Sequence, residues 1–156
     1  MVFAIAGLDL GLLLVEYVLG MYLNLFVQIP LLGTAGYGPG GTSGMVTFMF
    51  SVAGPALMAH IMMAMMILFV TVGLVVSSSM TGDPWLRRTS SLTLVFTGTA
   101  ILGGIEFLFF GQASGYSFLM SIGFLGTILF VGATFYWARV GSFRAPTTTP
   151  PSGRTG

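Results

Sequence analysis

The chain has 156 residues, 55% of them hydrophobic and 6% charged, with a net charge of +1 and a mean hydropathy of +0.98. Soluble domains carry roughly 25% charged residues, so five basic and four acidic side chains cannot make a water-facing surface, and lipid is the solvent for most of this one. The near-neutral charge leaves no electrostatic case for nucleic acid, and the absence of Cys removes disulfides, thiolate metal sites and iron–sulfur clusters.

A bilayer core about 30 Å thick needs ~20 apolar residues per helix, and the chain accommodates four such spans with short connections. The hydropathy pattern predicts them over 3–27, 55–77, 90–110 and 116–137. The N-terminus has neither a basic flank nor a small-residue cleavage site, so it reads as a retained first span rather than a signal peptide. A loop rich in Gly, Thr and Pro follows over 31–44. Residues 45–53 are apolar but interrupted by Gly54-Pro55, and read as an interfacial piece or a kinked extension of span two. Pro55 suits a first helical turn, where its missing N–H would be unpaired anyway. Residues 78–88 read as a polar loop with Asp83-Pro84 turn chemistry, and 111–115 (GQASG) as a tight turn. The first 138 residues thus form the membrane domain. Residues 139–156, rich in Pro, Thr, Ser and Gly, are expected to be a disordered cytoplasmic tail. No internal repeat is apparent.

All five Arg fall on one side: Arg87 and Arg88 between spans two and three, and Arg139, Arg144 and Arg154 after span four. The positive-inside rule then places both termini in the cytoplasm and the chain in the cell membrane as a multi-pass protein. Trp85 and Trp137 sit at the same boundary, where indole rings favour the interface.

Four ionisable residues lie within spans, Asp9, Glu16, His60 and Glu106. A mid-membrane charge costs at least ~2.5 kcal/mol on insertion scales, so such residues face a bundle interior. Asp9 is near enough to the cytoplasmic end to reach the headgroups. Glu16, His60 and Glu106 fall at similar depth in the outer half, on three different helices. Small and polar residues mark packing faces in membranes: Asp9, Glu16, Gly20 and Asn24 on span one; Ala53, Ala56, His60, Ala64 and Thr71 on span two; Thr99 and Gly103 beneath Glu106 on span three. The sharpest expectation is a polar cluster of Glu16, His60 and Glu106, with Asn24, Tyr116 and Tyr17 around it. Such a cluster could hold a divalent metal or pass protons. It could equally be a structural clasp of hydrogen-bonded Glu and His fixing the helices in register, the reading that carries the larger weight.

Other signals are weaker. His60 is the single His, so a haem would need a His/Met pair or a second ligand from a partner subunit, and no bound cofactor is the leading expectation. Met58, Met62, Met63, Met65 and Met66 crowd span two. They read as apolar packing rather than a Cu(I) site. The G-x-G-x-x-G of Gly36–Gly41 lacks the strand and helix a dinucleotide fingerprint requires. Gly7-x-x-x-Gly11 matches a small-residue packing motif, within the bundle or against another chain. There is no nucleophilic triad, P-loop or HExxH, and no Lys for a Schiff base, so the sequence leans against an enzyme without deciding it.

Three stretches, Glu16–Phe26 (EYVLGMYLNLF), His60 in its span, and Tyr116–Phe124 (YSFLMSIGF), together resemble small four-helix integral membrane proteins of prokaryotes. That resemblance implies the fold and carries no activity with it. Haem-handling four-helix proteins share the hydropathy, but this chain lacks their paired His. The sequence therefore predicts an all-α, four-helix transmembrane bundle. Its role would be a non-catalytic component or accessory subunit of a membrane complex, or a homo-oligomer, with lipid as its surroundings. The alternative is a proton-, metal- or haem-handling protein.

Overall fold

A computed structural model describes residues 1–27, 54–109 and 114–143, the side chains of 109, 142 and 143 apart. It is all-α, with helices α1 Val2–Phe26, α2 Gly54–Met80, α3 Pro84–Phe109 and α4 Ser114–Phe143. All four are long and apolar enough to cross a membrane. Large apolar side chains such as Leu14, Phe69, Phe118 and Leu129 point outward, as a lipid-facing surface requires. Each helix packs on its neighbours in sequence and α4 closes the ring on α1, whereas no diagonal pair touches among the described residues. The result is an up–down–up–down bundle that puts Met1 and the end of α4 at the Arg-bearing end.

Helix bounds differ from the expectation by more than two residues in two regions, and α4 begins at Ser114, inside the expected 111–115 turn. The segment 78–88, expected as a polar loop, is mostly helix: α2 continues to Met80 and α3 starts at Pro84. Three residues make the connection. Thr81 Oγ1 donates to the Ser78 carbonyl at 2.7 Å, Gly82 takes φ +73°, and Asp83 caps α3 by accepting from Trp85 N at 2.8 Å and Leu86 N at 3.3 Å. Pro84 then stands at the first helical position, where its ring fixes a helical φ at no hydrogen-bond cost. Such a side-chain cap lets a helix begin among polar residues that hydropathy assigns to a loop. At the other boundary, α4 runs to Phe143, so Arg139 belongs to the bundle rather than to a tail. The remainder of that tail, the Gly36–Gly41 loop, residues 45–53 and the turn residues 111–113 lie outside the described residues.

The two halves of the bundle pack by different devices. The α3–α4 seam is a close approach built on small residues. A Cβ on Gly103 would lie 2.7 Å from the Met120 backbone N, a Cβ on Gly123 would run into the Ala100 backbone, and one on Gly126 into the Phe96 ring. Thr hydroxyls line the same seam. Thr93 and Thr97 donate to carbonyls one turn back, Thr97 and Thr127 meet across it at 3.3 Å, and Thr134 donates to Thr89 Oγ1 at 2.9 Å. The stacked Trp85 and Trp137 rings, 6.0 Å apart, close this seam at the Arg-bearing end. Since lipid removes the hydrophobic drive between helices, close packing of this kind is what holds them.

The α1–α2 seam follows a heptad instead. The inward residues of α1 are Val2, Ala6, Asp9, Leu13, Glu16, Gly20 and Leu23, spaced alternately four and three. On α2 they are Leu57, His60, Ala64, Ile67, Thr71, Leu74 and Ser78, in the same rhythm. A period of 3.5 keeps both stripes facing each other along the whole contact. Gly7 of the G-x-x-x-G motif meets the Phe135 ring on α4, while Gly11 faces open space, so the motif is not used as a unit inside the bundle.

Candidate functional site

The α1–α2 stripes bring together three of the four intramembrane ionisable residues. Because the helices are antiparallel, Glu16 meets His60 and Asp9 meets Thr71 one heptad nearer the Arg-bearing end. His60 Nδ1 lies 3.0 Å from Glu16 Oε1, without the alignment of a hydrogen bond. The Glu16 side chain is 9% exposed, whereas about a quarter of the His60 side chain, 26%, is accessible. Gly20 makes room for the imidazole, since a Cβ there would sit 3.5 Å from His60 Cε1. Leu23 and Leu57 form an apolar layer just beyond the pair.

Asp9 is the residue that sequence reasoning misplaced. Instead of reaching the headgroups it is fully buried, and its Oδ2 accepts from Thr71 Oγ1 at 3.0 Å. The signal was its seven-residue spacing from Glu16, which puts both carboxylates on one heptad face. Between the two polar pairs lie Leu13 and Ile67, both 3% exposed and members of one apolar cluster.

The other expected members sit elsewhere. Glu106 is half-buried on α3. It lies one turn beyond Gly103, the glycine that packs on Met120 of α4. Among the described residues no three His, Asp or Glu side chains converge as metal ligands, so Glu106 does not complete a set with Glu16 and His60. Asn24 is exposed near the end of α1. The heptad continues from Glu16 through Gly20 to Leu23, and Asn24 falls one position off that stripe. Tyr116 is half-buried in the first turn of α4, its carbonyl 3.1 Å from a Cβ built on Gly103 of α3. Tyr17 is exposed and stacks on Phe124 of α4 at 6.0 Å.

The two polar seams differ in how completely their groups are satisfied. Along α3–α4 the buried Thr hydroxyls all have partners. The buried side-chain N and O atoms lacking a hydrogen-bond partner among the described residues are Asp9 Oδ1, Glu16 Oε2, His60 Nδ1 and Ser78 Oγ. All four belong to the α1 and α2 stripes. An orphaned buried polar atom is costly enough that native structures keep few of them without a functional reason or a bound water or ion. Chemically, a carboxyl group beside an imidazole, each with a free lone pair or donor, can exchange a proton. Comparison with known protein families, with curated proteins and with solved structures finds no match for this chain.

Proposed function

We propose that this chain is a multi-pass protein of the cell membrane that binds and releases a proton at the Glu16–His60 pair, with its Arg-bearing end and both termini in the cytoplasm. The observation that carries this reading is the pair's incomplete satisfaction: a buried carboxylate 3.0 Å from an imidazole, with its second oxygen unpartnered among the described residues. A purely structural clasp gains most when every member of its network is paired, and half-satisfied networks are poor braces in a low-dielectric setting. The α3–α4 half, fully paired and closely packed, supplies the rigid frame. The orientation rests on Arg87, Arg88 and Arg139 clustering at one end with the Trp85–Trp137 stack.

The alternative reading is a non-catalytic component or accessory subunit in which Glu16 and His60 only brace α1 against α2. The regular heptad and the fit of Gly20 to the imidazole favour it. For a divalent metal this site offers two donors, Glu16 and His60, and for a haem one axial ligand. Either would need completion from another molecule.

Since His60 is the single His, its ring nitrogens give unambiguous ¹⁵N signals in lipid nanodiscs. The proton reading expects the imidazole to titrate and its titration to change in Glu16→Gln. Acidic groups on the surrounding helices include Asp9 on α1 and Glu106 on α3, so the same titration in Asp9→Asn and Glu106→Gln separates their influence. An imidazole whose signals are invariant with pH, or identical with and without the Glu16 carboxylate, leaves the brace.

A further inference from the structure

We propose that the α1–α2 seam is a proton-conducting row, entered near Ser78, passing Asp9 and ending at Glu16 and His60, with Leu13 and Ile67 as its gate. The proposal rests on the proton reading for its outer terminus and adds an inner station, a direction and a barrier.

The order of residues along α2 sets the row. Ser78, Leu74, Thr71, Ile67 and His60 share one stripe, and the facing stripe of α1 supplies Ala6, Asp9, Leu13 and Glu16. Leu74 and Ala6, both 0% exposed, form an inner apolar layer between Ser78 and Asp9, which must open for Asp9 to take up a proton as the Leu13–Ile67 layer must open for its release. Each polar station holds an atom with no hydrogen-bond partner among the described residues: Ser78 Oγ, Asp9 Oδ1, Glu16 Oε2 and His60 Nδ1. Asp9 and Glu16 are separated by two helical turns, a rise of about 10 Å at 1.5 Å per residue. Neither carboxylate can hand a proton directly to the other over that distance, but a short chain of waters spaced about 2.8 Å apart can. The Leu13–Ile67 layer stands in that gap and excludes such a chain while it is closed.

A transfer balances as follows. A proton arriving from the Arg-bearing end is taken up on Asp9 Oδ1, which becomes a neutral carboxyl while Oδ2 keeps its bond from Thr71. When the apolar layer opens, the proton passes through water to Glu16 and Asp9 returns to carboxylate. Glu16 then protonates His60 Nδ1, and the imidazole releases a proton from Nε2 at its accessible side. Net charge along the row is unchanged after one passage, but His60 is left protonated on Nδ1 instead of Nε2. A ring flip that brings Nδ1 to water, where it loses its proton as Nε2 gains one, restores the starting tautomer before the next passage. Thr71 is a positioning residue here, holding Asp9 through Oδ2 and leaving Oδ1 free of that bond.

The test is proton flux into proteoliposomes loaded with a pH-sensitive dye, driven by a potassium diffusion potential, with protein-free liposomes as baseline. The native chain should exceed baseline, and Glu16→Gln and Asp9→Asn should both fall to it. Asp9→Asn is isosteric and keeps the Thr71 bond, so loss of flux is not loss of fold, which helical circular dichroism verifies. Leu13→Ala should raise flux several-fold by opening the layer, and the milder Ile67→Val should raise it less, serving where Leu13→Ala does not fold. Native flux at baseline overturns the row. So does normal flux in Asp9→Asn alongside loss in Glu16→Gln, and unchanged flux in both gate variants removes the gate. None of these depends on the His60 titration, so failure of the row and failure of the proton pair are separable.

Discussion

Gly123→Ala places a methyl group where the α3 backbone already stands. A Cβ at Gly123 would lie 2.7 Å from Ala100 Cα and 2.9 Å from Ala100 Cβ, and would also run into Ala100 N. Two of these three atoms are backbone, so no side-chain rotation relieves the contact and the helices must move apart. Overpacking of a well-packed seam costs about 1–3 kcal/mol, while Ala in place of Gly in a helix returns up to ~1 kcal/mol. Separation would also stretch the nearby Thr97–Thr127 contact, already 3.3 Å. The net expectation is a loss of about 1–2 kcal/mol, measured by reversible denaturation in mixed micelles. Two controls sharpen it. Gly11→Ala, with nothing within 4 Å of its Cβ, should be neutral or mildly stabilising. Adding Ala100→Gly to Gly123→Ala should rescue little, because the backbone contacts remain. Equal stability of Gly123→Ala and the native chain would refute the close α3–α4 approach.

The remaining predictions concern the connection and the inner polar pair. Asp83→Ala removes the acceptor for two backbone N–H groups at the start of α3, and should cost about 1 kcal/mol in the same denaturation assay. Gly82→Ala, at φ +73°, should cost ~1–2 kcal/mol through backbone strain alone. Thr71→Val keeps the shape but leaves Asp9 with no side-chain donor. It should destabilise by roughly 1–3 kcal/mol, and Thr71→Ser should recover most of that.

The architecture was legible because hydropathy in a chain this apolar depends on segment length, and span one was read to within a residue at each end. The missed boundaries lie where polar residues are helical for local reasons. Ser77, Ser78 and Thr89 are buried within helices; Thr89 Oγ1 donates to the Trp85 carbonyl and Asp83 caps α3, so helix continues through residues that hydropathy counts as loop. The Glu16–His60 pairing was readable from depth and stripe. Glu106 was not separable from it, because depth fixes height on a helix but not azimuth, and azimuth on α3 is set by which face meets Gly123 and Gly126 on α4. Asn24 was assigned to the stripe by polarity where the heptad selects Leu23. The inward placement of Asp9 was encoded in its spacing from Glu16 but masked by its nearness to the membrane boundary.

The account stands on the seating of the Glu16 carboxylate against the His60 imidazole. Glu16 and Glu106 are the two Glu residues of the chain and His60 is its single His, so Glu106→Gln leaves one labelled carboxyl and one labelled ring. In lipid-embedded protein carrying ¹³C-carboxyl Glu and ¹⁵N-His, solid-state dipolar recoupling reads the separation of Glu16 Cδ from the ring nitrogens. The 3.0 Å approach of Oε1 to Nδ1 predicts strong dephasing of the Glu16 carboxyl by ¹⁵N, abolished when His60 is unlabelled. A carboxyl that shows none would put Glu16 and His60 on different faces and contradict the site.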